Sequence, residues 1–171
     1  MRYYIMSQDK RIKQPIRFRE FSPNQVEEFD RSYAKKQRVS VTLHLLDDKH
    51  TVYSDVVEAP CYMVSKALCD IIQMFDVETI FPNVVFHSRV MDPLVYKILL
   101  TDREDVLHED TEFYKDKSIK NLVLDRTKIG NKQVFRIAGI SPGYVIVSMN
   151  IVEAVIRRGL EGIVFQQVEV R

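Results

Sequence analysis

Ser65 and Ser148 each close a short apolar run and open a helical period, the place a nucleophilic serine occupies at a strand-to-helix turn. That chemistry needs glycines flanking the serine so that the strained turn can form. Here the neighbours are Val64 and Ala67 in one case and Val147 and Asn150 in the other. Both serines therefore read as helix N-caps, whose hydroxyl accepts from a free backbone N–H one turn on. Neither has Glu or Gln three residues later, so these are bare caps and not capping boxes.

His44, His50, His87 and His108 are isolated, with no HxxxH, HExxH or CxxC spacing beside them. His87 and His108 could each meet an acid in space, but structural or solvent-exposed roles are expected. No GxxxxGK[ST] or GxGxxG motif occurs, and five glycines leave little loop backbone to cradle phosphates. Asp47-Asp48 and Glu104-Asp105 are adjacent carboxylates, which point apart on most backbones and make a poor acid pair for glycoside chemistry. Cys61 and Cys69 lie in or beside one predicted helix. Two helical turns separate such α-carbons by about 12 Å, beyond disulfide reach, so free thiols in a reducing compartment are expected. The chemistry excluded on these grounds is broad: no catalytic residue, no metal ligand set and no cofactor site is expected.

The elements that position these residues come from a repeat. Residues 62–72 align with 145–155 at a constant offset, and the match runs on through Val77-Glu78-Thr79-Ile80 against Leu160-Glu161-Gly162-Ile163 to Val85 against Val168. The shared pattern is an apolar run, one serine, a helical period, then Glu-x-Ile and another apolar run. It predicts two strand–helix–strand units, about 61–86 and 144–169, within a single domain spanning 1–171. Ala67, Leu68, Ile71, Ile72 and Phe75 form the first apolar stripe, and Ile151, Val152, Val155 and Ile156 the second. Arg157-Arg158-Gly159 closes the second helix with cations at the negative end of the dipole and a glycine free to turn left-handed.

The remainder reads as an α+β fold with a mixed or antiparallel sheet and about three helices. Arg2 to Met6 is a first strand. Ser22-Pro23-Asn24-Gln25 is a capping box that starts a helix over about 23–36, with Glu27 and Arg31 spaced as an ion pair. Val39 to Leu45 alternates as a half-buried strand, and Asp47 to His50 turns it into a hairpin with Thr51-Val52-Tyr53. Thr79 to Val90 is β-rich with Pro82 at a bulge or edge. Strands follow over 95–101, 121–125 and 134–140, the last two joined around Gly130-Asn131. A turn at Ser141-Pro142-Gly143 delivers the chain into the second unit, and a strand over 163–170 ends it.

Net charge is +1, which argues against a general nucleic-acid binder, but it is unevenly spread. Residues 1–38 hold ten Lys or Arg against five acids, whereas Asp102 to Asp116 holds seven acids against Arg103 and Lys115. That acidic stretch reads first as a solvated loop, and more sharply as a docking surface for a basic partner. Glu104, Asp105, Glu109, Asp110 and Glu112 are its candidate contacts, with Tyr114 beside Phe113 as an aromatic anchor. Most of the eight tyrosines are expected to brace the core edge with one wet end. No apolar run approaches the length of a membrane span, and no leader pattern opens the chain, so a cytoplasmic protein is expected.

The chain resembles the bacterial polymorphic-toxin immunity proteins of family 11. The resemblance is carried by Tyr3-Tyr4-Ile5, Val64-Ser65, Leu124-Asp125, Phe135-Arg136-Ile137, Val147-Ser148 and Gly162-Ile163-Val164-Phe165. It covers most of 60–170, is weaker over 7–58, and departs from the family in lacking tryptophan. It implies a protein encoded beside a toxin, which binds and neutralises that toxin domain in the producing cell. The alternatives are a small enzyme or ligand-binding domain with its site between the two units, and a structural subunit of a larger assembly.

Overall fold

Tyr3 and Met6 are three positions apart on one strand, so their side chains leave it on opposite faces, and both are buried. A strand buried on both faces belongs inside a sheet. In the computed structural model, which describes residues 1–19, 40–47, 49–140 and 143–171, that strand, β1 (Tyr3–Gln8), lies between two strands from the far end of the chain. The helix expected over 23–36, its capping box and ion pair, Val39 and Ser141-Pro142 fall outside the described residues.

The elements in chain order are β1, β2 (Ser40–His44), β3 (Val56–Val57), β4 (Met63–Ser65), α1 (Lys66–Phe75), β5 (Asn83–His87), β6 (Leu94–Ile98) and β7 (Arg103–Glu104). Next come β8 (Glu112–Phe113), β9 (Ile119–Asn121), β10 (Val123–Leu124), α2 (Arg126–Ile129), β11 (Val134–Ile137), β12 (Val145–Ser148), α3 (Met149–Arg157) and β13 (Ile163–Val170). They form an α+β fold rich in strands. One sheet has the order β10-β13-β1-β12-β11-β7, a second β2-β5-β6-β4-β3, and β8 and β9 pair alone.

In the larger sheet β1 runs antiparallel to both β12 and β13, so these two run parallel, joined by α3. In the smaller sheet β6 runs antiparallel to both β4 and β5, which are likewise parallel and joined by α1. α1 buries Leu68, Cys69, Ile71 and Ile72, and α3 buries Ile151, Val152 and Val155. Each large aliphatic chain removed from water here contributes about 1.5–3 kcal/mol. The expected stripes differ at two positions: Ala67 is exposed, and Ile156 is 66% exposed. These helical residues join Met6, Val56, Tyr62, Val64, Val134, Val145 and Val147 in one core that draws on both sheets. The opposite faces are covered separately, around Phe86 in the smaller sheet and Phe135 in the larger.

Ser65 and Ser148 both stand at N-cap positions with extended backbone, but only one caps. The Ser65 hydroxyl accepts from Leu68 N at 3.2 Å. The Ser148 hydroxyl instead donates to Gln133 Oε1 at 2.7 Å and makes no cap bond, because β11 brings that amide alongside. The hairpin expected across residues 47–50 is replaced by another pairing. β2 runs parallel to β5, Leu45 bridges Phe18, and Val52 bridges Pro15. Pro82 sits just before β5 and accepts from Ile98 N, so it bounds an interior strand instead of making a bulge. Residues 126–129, expected within a loop, form a short helix capped by Asp125, whose carboxylate accepts from Thr127 N and Lys128 N.

The two sheets are joined at residues 54–58. Asp55 N donates to Glu161 O and Asp55 Oδ2 accepts from Glu161 N, at 3.0 and 2.7 Å. Its Oδ1 accepts from the Ser65 hydroxyl at 2.5 Å. Gln8 N donates to Glu58 Oε1 at 3.0 Å and Glu58 N returns a bond to Gln8 Oε1 at 3.3 Å. Gly162, at φ +74°, lies so close that a Cβ there would stand 2.3 Å from Ser54 Cβ. Gly159, also left-handed at φ +64°, faces open space. Gly162→Ala should therefore cost about 3 kcal/mol, from backbone strain plus overpacking, against about 1 kcal/mol for Gly159→Ala. Denaturant unfolding of the two variants measures the difference. Equal losses would show that the seam yields freely.

The cap geometry makes a second expectation. Ser65→Ala removes a cap and an Asp55 contact and should cost about 1–2 kcal/mol. Ser148→Ala should couple non-additively with Gln133→Ala in a double-mutant cycle, since the two share one bond. An additive cycle would contradict the observed partner.

Candidate functional site

Thr111 begins the acidic hairpin by pinning its base. Its hydroxyl donates to Val123 O at 2.7 Å and accepts from Val123 N at 3.2 Å. β8 and β9 then run antiparallel to a turn at 114–118. Asp116 Oδ1 accepts from Ser118 N and from the Ser118 hydroxyl at 3.0 and 2.6 Å, and these bonds hold its carboxyl below the usual range. Tyr114 N donates to Ser118 O at 2.8 Å, and Lys117 takes the left-handed conformation at φ 65°. The segment expected as a long exposed connection is thus a short strand at a sheet edge followed by a pinned hairpin.

The five candidate acids do not form one bare negative patch. Glu104 lies in β7 at the edge of the larger sheet, 3.0 Å from Lys132 Nζ. Asp105 is 3.9 Å from Lys128 Nζ, Glu112 is 2.6 Å from Lys120 Nζ, and Asp110 pairs with Arg171 and with His108. Glu109 has no ion-pair partner among the described residues and is exposed. Exposed pairs of this kind contribute little to stability, about 0–1 kcal/mol each, but each cancels a charge a partner would otherwise feel. Beside the unpaired Glu109, what stands out is apolar: Phe113 and Tyr114 are 48% and 56% exposed at the hairpin.

The histidines and thiols behave differently from one another. His108 meets the Asp110 carboxylate at 3.4 Å, while His44 and His87 lie side by side on β2 and β5 with ring centres 5.6 Å apart. Neither serine has a histidine in hydrogen-bond reach among the described residues. No group of three or more His, Cys, Asp or Glu among the described residues is arranged to hold a metal ion. Cys61 precedes β4 and Cys69 lies inside α1, so they do not share a helix, and both thiols are free. No helix among the described residues is long and apolar enough to cross a membrane.

A second feature draws on residues of both expected units. A cavity of about 790 Å³ opens where β1 overruns the start of β12, walled by Met6, Cys61, Tyr62, Arg136, Tyr144 and Val145 among others. It therefore takes walls from the segment that leads into the smaller sheet, from the larger sheet and from β9 of the hairpin through Ile119, Lys120 and Asn121. Arg136 sits in β11 between Phe135 and Ile137, which go to the core on the opposite face. Its guanidinium lies 5.8 Å from the Tyr62 ring centre, and its Nη2 donates to Leu99 O at 3.4 Å. Its Nε is buried with no acceptor. Burial, then the neighbouring Arg103 cation, push its pKa down. The sequence signal for it was a single charge in the apolar run Val134-Phe135-Arg136-Ile137.

Neither a protein-family model nor a curated protein sequence matches the chain.

Burial raises the pKa of Cys61 and of Cys69 to about 11. The folded chain so keeps both thiols protonated where the unfolded chain ionises them. Their contribution to stability is full below the ordinary thiol range and is lost as pH rises from there towards about 11. At pH 8 both should alkylate at least ten-fold more slowly in the native protein than in denaturant. Mass spectrometry after iodoacetamide treatment checks this, and a native rate equal to the denatured one would contradict the burial.

Proposed function

We propose that this chain is a bacterial immunity protein that works in the cytoplasm by binding, without turnover, to a cognate toxin domain encoded by a neighbouring gene. The reading draws on the resemblance to immunity protein family 11. One observation carries it further: two large aromatic side chains stand exposed on a hairpin pinned at its base and at its turn. Exposed aromatics on a pre-ordered element are what a tight protein interface uses as anchors, because little entropy is lost in ordering them.

Within this reading the division of labour changes. Glu104, Asp105, Asp110 and Glu112 already have cations beside them, so the acids, Glu109 foremost, add only a modest steering to the approach and the aromatics set the lifetime of the complex. The scaffold is a pair of like units, about 61–86 and 144–169. In support, each helix links two parallel strands with one antiparallel strand between them.

The test is a salt series of binding kinetics against the neighbouring toxin domain. Tyr114→Ala should raise the dissociation rate at least ten-fold with little change in association. Asp105→Asn with Glu109→Gln should slow association at low salt and flatten its salt dependence, since such fields are screened over about 8–10 Å at physiological salt. Thermal midpoints should stay close to the parent. If all variants bind and protect as the parent does at every salt, the hairpin is not the interface.

A further inference from the structure

We propose that the cavity beside β1 and β12 holds a small ligand bearing a carboxylate or phosphate group, seated on the Arg136 guanidinium, which lies over the Tyr62 ring. The argument begins with what Arg136 lacks. A guanidinium carries five donors and cannot shed its charge, so enclosing even part of it without an anion is costly, and Arg136 is half-buried with its Nε enclosed. Among the described residues no carboxylate lies within ion-pair distance of it, and its protein acceptor is one carbonyl at the long distance of 3.4 Å. The charged neighbour it does have, Arg103, is its register partner on β7 and has the same sign.

The cavity's own acids do not supply the missing charge. The Glu58 carboxylate accepts from Gln8 N at 3.0 Å, and Glu169 is held by Arg171 at 2.7 Å. Glu58 acts on the neighbouring Tyr62, but neither acid forms an ion pair with Arg136. Lys10 lines the same space without an ion pair among the described residues. A volume of about 790 Å³ suits a small organic molecule, since ligand pockets run from about 300 to 1,000 Å³. Nε is enclosed, so Nη1 and Nη2 are the donors that face an incoming oxyanion, and a planar two-point contact favours carboxylate or phosphate over chloride. Tyr62 is buried with the guanidinium over its ring, so apolar support for the rest of such a ligand comes from the half-buried lining side chains Ile5, Leu122 and Tyr144. This assignment is independent of the toxin-binding reading.

Isothermal titration of the full chain at constant ionic strength, with inorganic phosphate, benzoate and neutral benzamide as probes, tests it. One or both anions should bind saturably, and benzamide should not. Preference for phosphate or for benzoate identifies which oxyanion class the cavity takes. Arg136→Lys should weaken the anion at least ten-fold, because a point charge cannot make the two-point contact, and Arg136→Gln should abolish it. A readout without any variant uses Cys61, which lines the same cavity: saturating anion should slow its alkylation several-fold while leaving Cys69 unchanged. Absence of saturable binding to the parent chain, or binding to folded Arg136→Gln with unchanged affinity, overturns the proposal. So does bound anion that leaves Cys61 alkylation unaltered.

Discussion

The seam at residues 54–58 is where two separately hydrogen-bonded sheets become one molecule. A sheet cannot extend its ladder sideways into another sheet without strand partners, so the joint must be made by a few directed bonds. Asp55 supplies the largest share. Its backbone and carboxylate close a two-point pairing with Glu161, and its other oxygen receives the hydroxyl that caps α1. The entry to one helix and the exit from the other are thereby set against each other. That leaves no room for a side chain at Gly162, and it fixes the packing of α1 on α3 in the shared core.

The tyrosines extend the same logic. Tyr62 reaches from the smaller sheet to Met6 O, Tyr96 reaches Ser54 O, and Tyr3 reaches Lys132 O, each through a phenol whose ring is buried. Each donates to a backbone carbonyl, and the bonds of Tyr62 and Tyr96 tie the smaller sheet to β1 and to residue 54 at the joint. Burial holds these phenols neutral, with the Tyr62 and Tyr96 groups pushed up strongly. The two candidate functional regions stand outside this braced frame in opposite ways. The hairpin projects aromatics outward on a local support of its own, and the cavity turns a cation inward at the edge of the joint.

Much of the secondary structure was legible in local pattern. The strand at 163–170, the helical stripes and the close at Arg157 to Gly159 rest on periodicity and end chemistry contained in a few residues, and they lie where expected. What local pattern could not carry was partnership. The alternation at 41–45 is as expected, but it is satisfied by a parallel neighbour instead of a hairpin. Ser148 looks like Ser65 in sequence, yet the amide of Gln133, just before β11, takes its hydroxyl. The acids of 104–112 read as a patch because their cations, Lys128, Lys132 and Arg171, come from elsewhere in the chain. Arg136 carried a visible signal, one charge amid core residues, whose meaning depended on partnership: among the described residues no carboxylate comes within ion-pair distance.

The place of β1 has a consequence for how the molecule comes into being. Its register sets Tyr3 against Ser148 on one side and Val168 on the other, so β1 is completed by segments made much later in synthesis. Until β12 and β13 emerge, β1 has two open edges and two apolar faces, the condition that invites mispairing. The smaller sheet has no such wait, because β3 to β6 are close neighbours along the chain and can close early. Assembly should therefore run from the middle of the chain outwards, with the larger sheet sealed last and slowly. A nascent chain of this kind depends on whatever shields β1 in the interval.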